Sequence, residues 1–287
     1  MKNKNAVSSR GKLIQRMLLT PYSVWALLFI AVPLFFIAFY AFTDKQMHFT
    51  LDNMRYVFTY RVSEEQSLPH YVLVFGRSFK LAVISTLICL LLGYPFAYRI
   101  AHASARAQSI LITVIMIPMW MNFLIRTYAW MVILQDKGIL NSGLSLLGLG
   151  PIHVIGTETA VVIGMVYDYL PYMILPIYSV MAKMDNKLLE AARDLGCNGF
   201  GVLRRVIWPL SLPGVISGVN MVLIPSVSTF YISQKLGGKM KLIGDEIEEK
   251  YANYDFNGAA AIAFIMMVLL LIVMALLQHR ATRRSVA

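Results

Sequence analysis

Charge is scarce in this chain. Only 14% of its 287 residues are Asp, Glu, Lys or Arg, against 58% hydrophobic, and that balance excludes an ordinary soluble domain. The two cysteines, Cys89 and Cys197, are too few and too far apart for a disulfide framework or a thiolate metal site, so each reads as a packing residue. A phosphate-binding loop is missing: Gly237-Gly238-Lys239 lacks the upstream glycine and the hydroxyl residue such a loop needs. No His-Glu-x-x-His run occurs. The histidines His48, His70, His102, His153 and His279 are scattered at or near loops and read as solvated. Nothing suggests a catalytic nucleophile. The chain is expected to bind no cofactor or metal of its own and not to be an enzyme.

What the chain has instead is long apolar runs, several reaching the ~20 residues that cross a hydrocarbon core of ~30 Å. Six spans are read, at about 22–42, 78–101, 109–134, 159–181, 213–233 and 258–278. The fold class expected is all-α integral membrane. The first run is too long for a signal-peptide core and reads as an uncleaved span. Lys80 lies near one end of the second span, where it snorkels. Gly93 and Pro95 allow that span a bend, Pro118 interrupts the third, and Pro225 sits near the middle of the fifth. Gly214, Ser217, Gly218 and Ser226 permit close helix packing.

The basic residues follow the spans. With both termini inside, the inner segments carry 15 Lys or Arg against three acids, and the outer segments nine against eleven. That asymmetry has the sign of the positive-inside rule. It divides the chain into a cytoplasmic N-terminal segment 1–21, a six-helix domain 22–279 with a cytoplasmic loop 182–212, and a cytoplasmic tail 280–287. The net charge of +11 is thus a matter of membrane orientation, with lipid and not nucleic acid as the partner.

The loop carries the most structured polar sequence, Leu188 to Pro213. Leu188, Ala191, Ala192 and Leu195 recur at i, i+3, i+4 and i+7, one face of a short helix. Asp185 or Asn186 can cap its start, and Gly196 stands where a helix ends on a left-handed residue. Phe200, Leu203 and Ile207 suggest a second short amphipathic segment beside Arg204 and Arg205. Pro209 and Pro213 are expected to prevent one unbroken helix into the fifth span. From pattern alone the segment is either a helical loop resting on the membrane surface or a docking helix for a soluble partner.

Resemblance separates those readings. Glu190-Ala191-Ala192, Gly196 after three residues, and, after nine more, the hydrophobic Val206-Ile207-Trp208 followed by Pro209 resemble the EAA signature of ABC-importer permeases. Val206 and Trp208 stand where that family usually has Ile and Leu. The resemblance implies a type I ABC-importer permease fold, with Glu190, Ala191, Ala192, Asp194, Gly196 and Pro209 in the segment that couples to an ATPase. Leu92-Gly93-Tyr94-Pro95-Phe96-Ala97, Leu124-Ile125-Arg126-Thr127-Tyr128, Leu242-Ile243-Gly244 and Gly258-Ala259-Ala260 are similar to the spermidine/putrescine importer permeases of the B-subunit type. One departure is that Asp255-Phe256-Asn257 stands where the family often has Trp-Pro. The resemblance implies two ATPase copies carrying ATP and Mg, a second permease, and an extracytoplasmic polyamine-binding protein at a bacterial inner membrane. It also implies alternating access driven by closure of the ATPase dimer.

Two ionisable residues fall inside spans. Counted along straight helices at ~1.5 Å per residue, Arg126 and Asp168 lie at nearly the same depth, roughly 12–14 Å below the outer boundary. Such charges pair or face water. Either they form an ion pair between neighbouring helices, or Asp168 faces the pathway as counter-ion to a cationic substrate, with Tyr167, Tyr169 and Tyr172 offering aromatic faces. Pro171 and Pro176 loosen the span there. The rival functions are the same machine for iron, thiamine, sulfate or molybdate, an ion-coupled secondary transporter, and a membrane scaffold without transport.

Overall fold

A chain this apolar satisfies its backbone inside lipid only by coiling into helices. The computed structural model describes residues 19–63 and 66–285, with the side chains of 186 and 279–285 left aside. The N-terminal segment 1–21 falls largely outside the described residues, and of the tail 280–287 only the helical backbone as far as 285 is described. In chain order the helices are α1 (Leu19–Ala41), α2 (Asp52–Thr59), α3 (His70–Ala101), α4 (Ala105–Trp120), α5 (Phe123–Leu134) and α6 (Ile139–Leu146). After these come α7 (Glu158–Met181), α8 (Asn186–Asp194), α9 (Gly199–Ser228), α10 (Tyr231–Leu236), α11 (Ile243–Ala252) and α12 (Phe256–Ser285). No strand forms among the described residues; one bridge, Thr43 to Phe49, closes the turn after α1.

Helices α1, α3, α7, α9 and α12 are each long and apolar enough to cross a bilayer, and the bent pair α4 with α5–α6 makes a sixth candidate. The centre is the trio α3, α7 and α9. Small residues let them meet: a Cβ on Gly214 would stand 2.8 Å from the Pro176 carbonyl, and one on Gly218 2.8 Å from the Met173 sulfur. Leu81, Met165, Met173, Ile177 and Val222 fill this core. A second core joins α12 to the rest through Val57, Tyr71, Ile243, Ala261 and Ile262. Helix α1 leaves Phe29, Phe35 and most of its other apolar side chains exposed, as a helix facing lipid does.

Four sequence expectations change. The third span is not one straight helix: α4 and the stretch Phe123–Leu146 meet at 91°. Pro118 removes a ladder donor, Met121 turns extended, and the Asn122 side chain caps a new helix by accepting from Leu124 N–H at 2.8 Å. The fifth span is not preceded by a break at Pro209 and Pro213; helix runs without interruption from Gly199 to Ser228. A π turn at Leu203–Ile207 makes this possible, since the Trp208 N–H already reaches back five residues to the Leu203 carbonyl. The proline's missing donor therefore falls where the ladder has shifted register. That span also ends at Ser228 instead of 233, and Tyr231–Leu236 is a separate helix. The second span begins eight residues earlier than expected, at His70.

Lys80 is paired with Glu158 at 2.8 Å, tying α3 to the start of α7. Nor is His70 a solvated histidine. It is half-buried, with Nε2 3.0 Å from Glu246 on α11. The residues that depart from the resemblance take structural roles. Asp255 caps α12 by accepting from Gly258 N–H at 3.0 Å. The Asn257 amide donates to the Thr43 carbonyl at 2.7 Å and the Tyr40 carbonyl at 3.1 Å, which fastens the end of α1.

Candidate functional site

Two places in this frame carry chemistry beyond packing. The first is the helix α8. The Asp185 carboxylate accepts from Lys187 N–H at 3.0 Å and opens it. Its end is a Schellman turn: Cys197 N–H donates to the Ala192 carbonyl at 3.1 Å and Gly196 N–H to the Arg193 carbonyl at 2.8 Å. Gly196 has φ +83°, a conformation other L residues adopt at a cost of about 1–2 kcal/mol.

The apolar residues of α8 divide between two faces. Leu189 and Ala192 are buried and join the core beside Val202 and Ile207 of α9. Leu188, Ala191 and Leu195 are exposed, Leu195 at 86%. Ala192 therefore belongs to the inner face and not to the outward stripe the sequence spacing suggested. Glu190, Asp194 and Gly196 are exposed around it, and Phe200 projects from the next turn at 69% exposure. Pro209 lies within α9, just past the π turn. There Tyr94 of α3 meets Ser211 at 3.0 Å and the Trp208 ring at 5.1 Å, so the motif residue Tyr94 fastens α9 to α3.

The second place lies further along α7. Arg126 and Asp168 are brought together, with Nη1 3.1 Å from Oδ1 and only 6% and 1% of the side chains exposed. They meet as the ion-pair reading expected, with the difference that Arg126 reaches Asp168 from α5, beyond the 91° bend, and not from a straight third span. Thr127 Oγ1 donates to Asp168 Oδ2 at 3.4 Å. Arg126 Nε and Nη1 and Asp168 Oδ1 have no hydrogen-bond partner among the described residues. The three tyrosines separate. Tyr169 is buried and donates to the Pro225 carbonyl of α9 at 3.3 Å. Tyr167 and Tyr172 are partly exposed, and Tyr167 packs edge-on against Trp130 at 5.3 Å. From Asp168 to the end of α7 is 13 residues, so the pair and α8 stand roughly 20 Å apart along the helix.

Sequence reasoning missed Thr127 and Asn220. Thr127 was legible as the hydroxyl beside an intramembrane arginine. Asn220 is a lone amide within the apolar run of α9, and its Oδ1 is buried without a partner among the described residues. No group of His, Cys, Asp or Glu among the described residues has the geometry to hold a metal ion.

Comparison with known proteins places this architecture. The family described as the binding-protein-dependent transport system inner membrane component matches residues 90–286. The chain is 39% identical over 256 residues to the spermidine/putrescine transport system permease protein PotB of Haemophilus influenzae, covering 86% of this chain and 88% of that one. It is 38% identical over 262 residues to the protein of the same name from Escherichia coli, covering 87% and 92%. Among solved structures, a chain of a bacterial alginate ABC transporter superposes with a TM-score of 0.75 at 17% identity, over 96% of this chain and 95% of that one. A chain of the MetNI methionine ABC transporter gives 0.53 at 19% identity, over 75% and 95%. At those identities the structures bear on the fold alone.

Proposed function

Because this chain belongs to the family of binding-protein-dependent transport system inner membrane components, we propose that it is one permease half of an ATP-driven importer for polyamines of the spermidine/putrescine class. The observation that carries the reading is α8, a helix capped at both ends that presents Leu188, Ala191 and Leu195 to solvent. An exposed apolar stripe on so short a helix is a docking surface. The substrate class is supported by the 37–39% identity to spermidine/putrescine permeases over most of the chain.

The outward stripe of α8 seats in a groove of an ATPase subunit, with Glu190, Asp194 and Gly196 around the contact. The inward face, Leu189 and Ala192, rests on the beginning of α9, so displacement of α8 is passed to a spanning helix. ATP and Mg belong to the ATPase, present in two copies. A second permease completes the pathway, and a binding protein delivers the polyamine on the opposite side. The excess of Lys and Arg in the segments flanking α8 supports its cytoplasmic placement.

The test is uptake of labelled spermidine and putrescine by cells lacking this gene, with and without the gene restored. ATP-dependent uptake that returns with the gene is the expected result. No difference, with the protein present in the membrane, removes polyamines as the substrate.

A further inference from the structure

We propose that Arg126 is a built-in stand-in for the substrate: its guanidinium neutralises Asp168 while the pathway is empty, and an ammonium group of a linear polyamine replaces it there during transport. This rests on the polyamine reading above and assigns that substrate a contact. It also joins the two sequence readings, ion pair and pathway counter-ion, as two states of one site.

The argument begins with how poorly the pair is bonded. Withdrawing both charges from water is costly, and a pair kept only to hold the fold recovers that cost through saturated hydrogen bonding. Here a guanidinium with five N–H donors lies 3.1 Å from the carboxylate, yet its Nε and Nη1 and the facing Oδ1 all lack hydrogen-bond partners among the described residues. Among the described residues, Thr127 alone donates a hydrogen bond to the carboxylate, at 3.4 Å. Buried polar atoms left unmatched in this way call for an explanation. A carboxylate held beside a cation, but badly, is open to a better-fitting donor. An alkylammonium, with three rotatable N–H groups on a flexible chain, fits an acceptor that a planar fork approaches off-angle.

The backbone gives the two partners unequal freedom. Asp168 lies in the middle of α7, which packs along its length on α3 and α9. Arg126 lies in the first turn of α5, just beyond the 91° break at Met121 and Asn122. The carboxylate is thus fixed and the guanidinium sits on the element next to a joint. The exchange keeps Asp168 neutralised in both states, and it requires that the displaced guanidinium be carried out to water as α5 turns about the joint, since left in place it would be a buried unpaired cation. Tyr167 and Tyr172 flank Asp168 on the exposed side of α7, and exposed Tyr128 is two residues from Arg126. Their rings suit the ammonium groups and methylenes of an approaching polyamine.

The test uses the complete transporter in cells, measuring membrane level and labelled spermidine uptake for wild type, Arg126→Lys and the neutral pair Arg126→Gln with Asp168→Asn. The neutral pair is expected at wild-type level in the membrane but with uptake reduced at least about tenfold, because an acceptor for the ammonium is gone. Arg126→Lys, a weaker rival for the carboxylate, is expected to lower the KM for spermidine by about threefold. Uptake by the neutral pair within about twofold of wild type would show the pair to be a structural fastener and overturn the proposal. If the neutral pair fails to insert, an unchanged or raised KM for Arg126→Lys overturns it instead. Wild-type cells that take up neither polyamine would remove the substrate assignment and this contact with it. Wild-type uptake with a fully active neutral pair removes the contact alone.

Discussion

Asp255 shows how one carboxylate can serve two elements. Its Oδ1 accepts from Gly258 N–H at the start of α12, and its Oδ2 from Lys250 of α11 at 2.6 Å. Burial works to raise the pKa of this carboxyl, but the Lys250 ammonium and the Gly258 N–H outweigh it and hold the group below the usual carboxylate range. A depressed pKa stabilises the fold at pH values above the ordinary carboxylate pKa, and that stabilisation is lost as pH falls through the group's own lower value. Asp255→Ala should therefore lower the thermal stability of the purified protein at pH 7 by about 1 kcal/mol, the usual worth of a helix cap. It should also lose less than wild type on acidification, which thermal unfolding measured from pH 7 down to pH 3 would show. A larger loss on acidification in the variant would contradict the assignment. The sequence marked Asp255-Phe256-Asn257 only as a departure from a family pattern. Its meaning was out of reach there, because the groups that Asn257 engages, the carbonyls of Tyr40 and Thr43, are more than 200 residues away in the chain.

At the scale of elements, local chemistry was legible and long-range geometry was not. Helix α8 could be read because its signals are contiguous: Asp185 opens it, Gly196 closes it, and the apolar spacing lies between. The turn also makes a prediction. Gly196→Asp should reach the membrane at normal level and abolish ATP-dependent uptake, since no atom lies close enough to clash with a new Cβ, while a charged side chain at φ +83° strains the turn and stands beside the exposed stripe of α8. Normal uptake by that variant would count against docking at α8. Gly214 presents the opposite case, ordinary backbone with no room. Gly214→Ala should cost about 1–3 kcal/mol in detergent unfolding, because the new methyl meets the Pro176 carbonyl and the Ile177 backbone. An unchanged unfolding midpoint would mean that α7 and α9 can separate freely. The sequence pointed to close packing at Gly214 and Gly218 but misjudged Pro209, because a π turn has no composition signature and becomes apparent only from which carbonyl the Trp208 N–H chooses. It likewise gave Pro118 as an interruption without the 91° bend, which depends on Asn122 capping a helix in a new direction.

For the whole molecule, apolar runs and interspersed charge were sufficient to derive an all-helical membrane protein, of which five spans are single helices and the sixth expected one is the bent pair α4 with α5–α6, and the EAA-like segment to place it among importer permeases. The pairing of Arg126 with Asp168 was one of the two readings the sequence offered, and the structure shows it; what was not readable is that Arg126 reaches it from α5, beyond a 91° bend. The orientation carries its own prediction, which the two native cysteines test without mutation. Cys197 is half-exposed beside α8, and Cys89 is fully buried in α3. A membrane-impermeant maleimide should modify the protein at Cys197 in inverted inner-membrane vesicles stripped of peripheral subunits, and leave it unmodified in intact cells opened only at the outer membrane. Labelling from the opposite side would reverse the topology. The unbroken course of α9 has a mechanical consequence. Thirty residues of continuous helix form a rod of roughly 45 Å, and a tilt of about 10° at one end sweeps the other through about 8 Å. A chain broken at Pro209 would absorb such a stroke at the joint, whereas an unbroken α9 has the geometry of a crank, in which a small displacement beside α8 becomes a larger one across the bilayer.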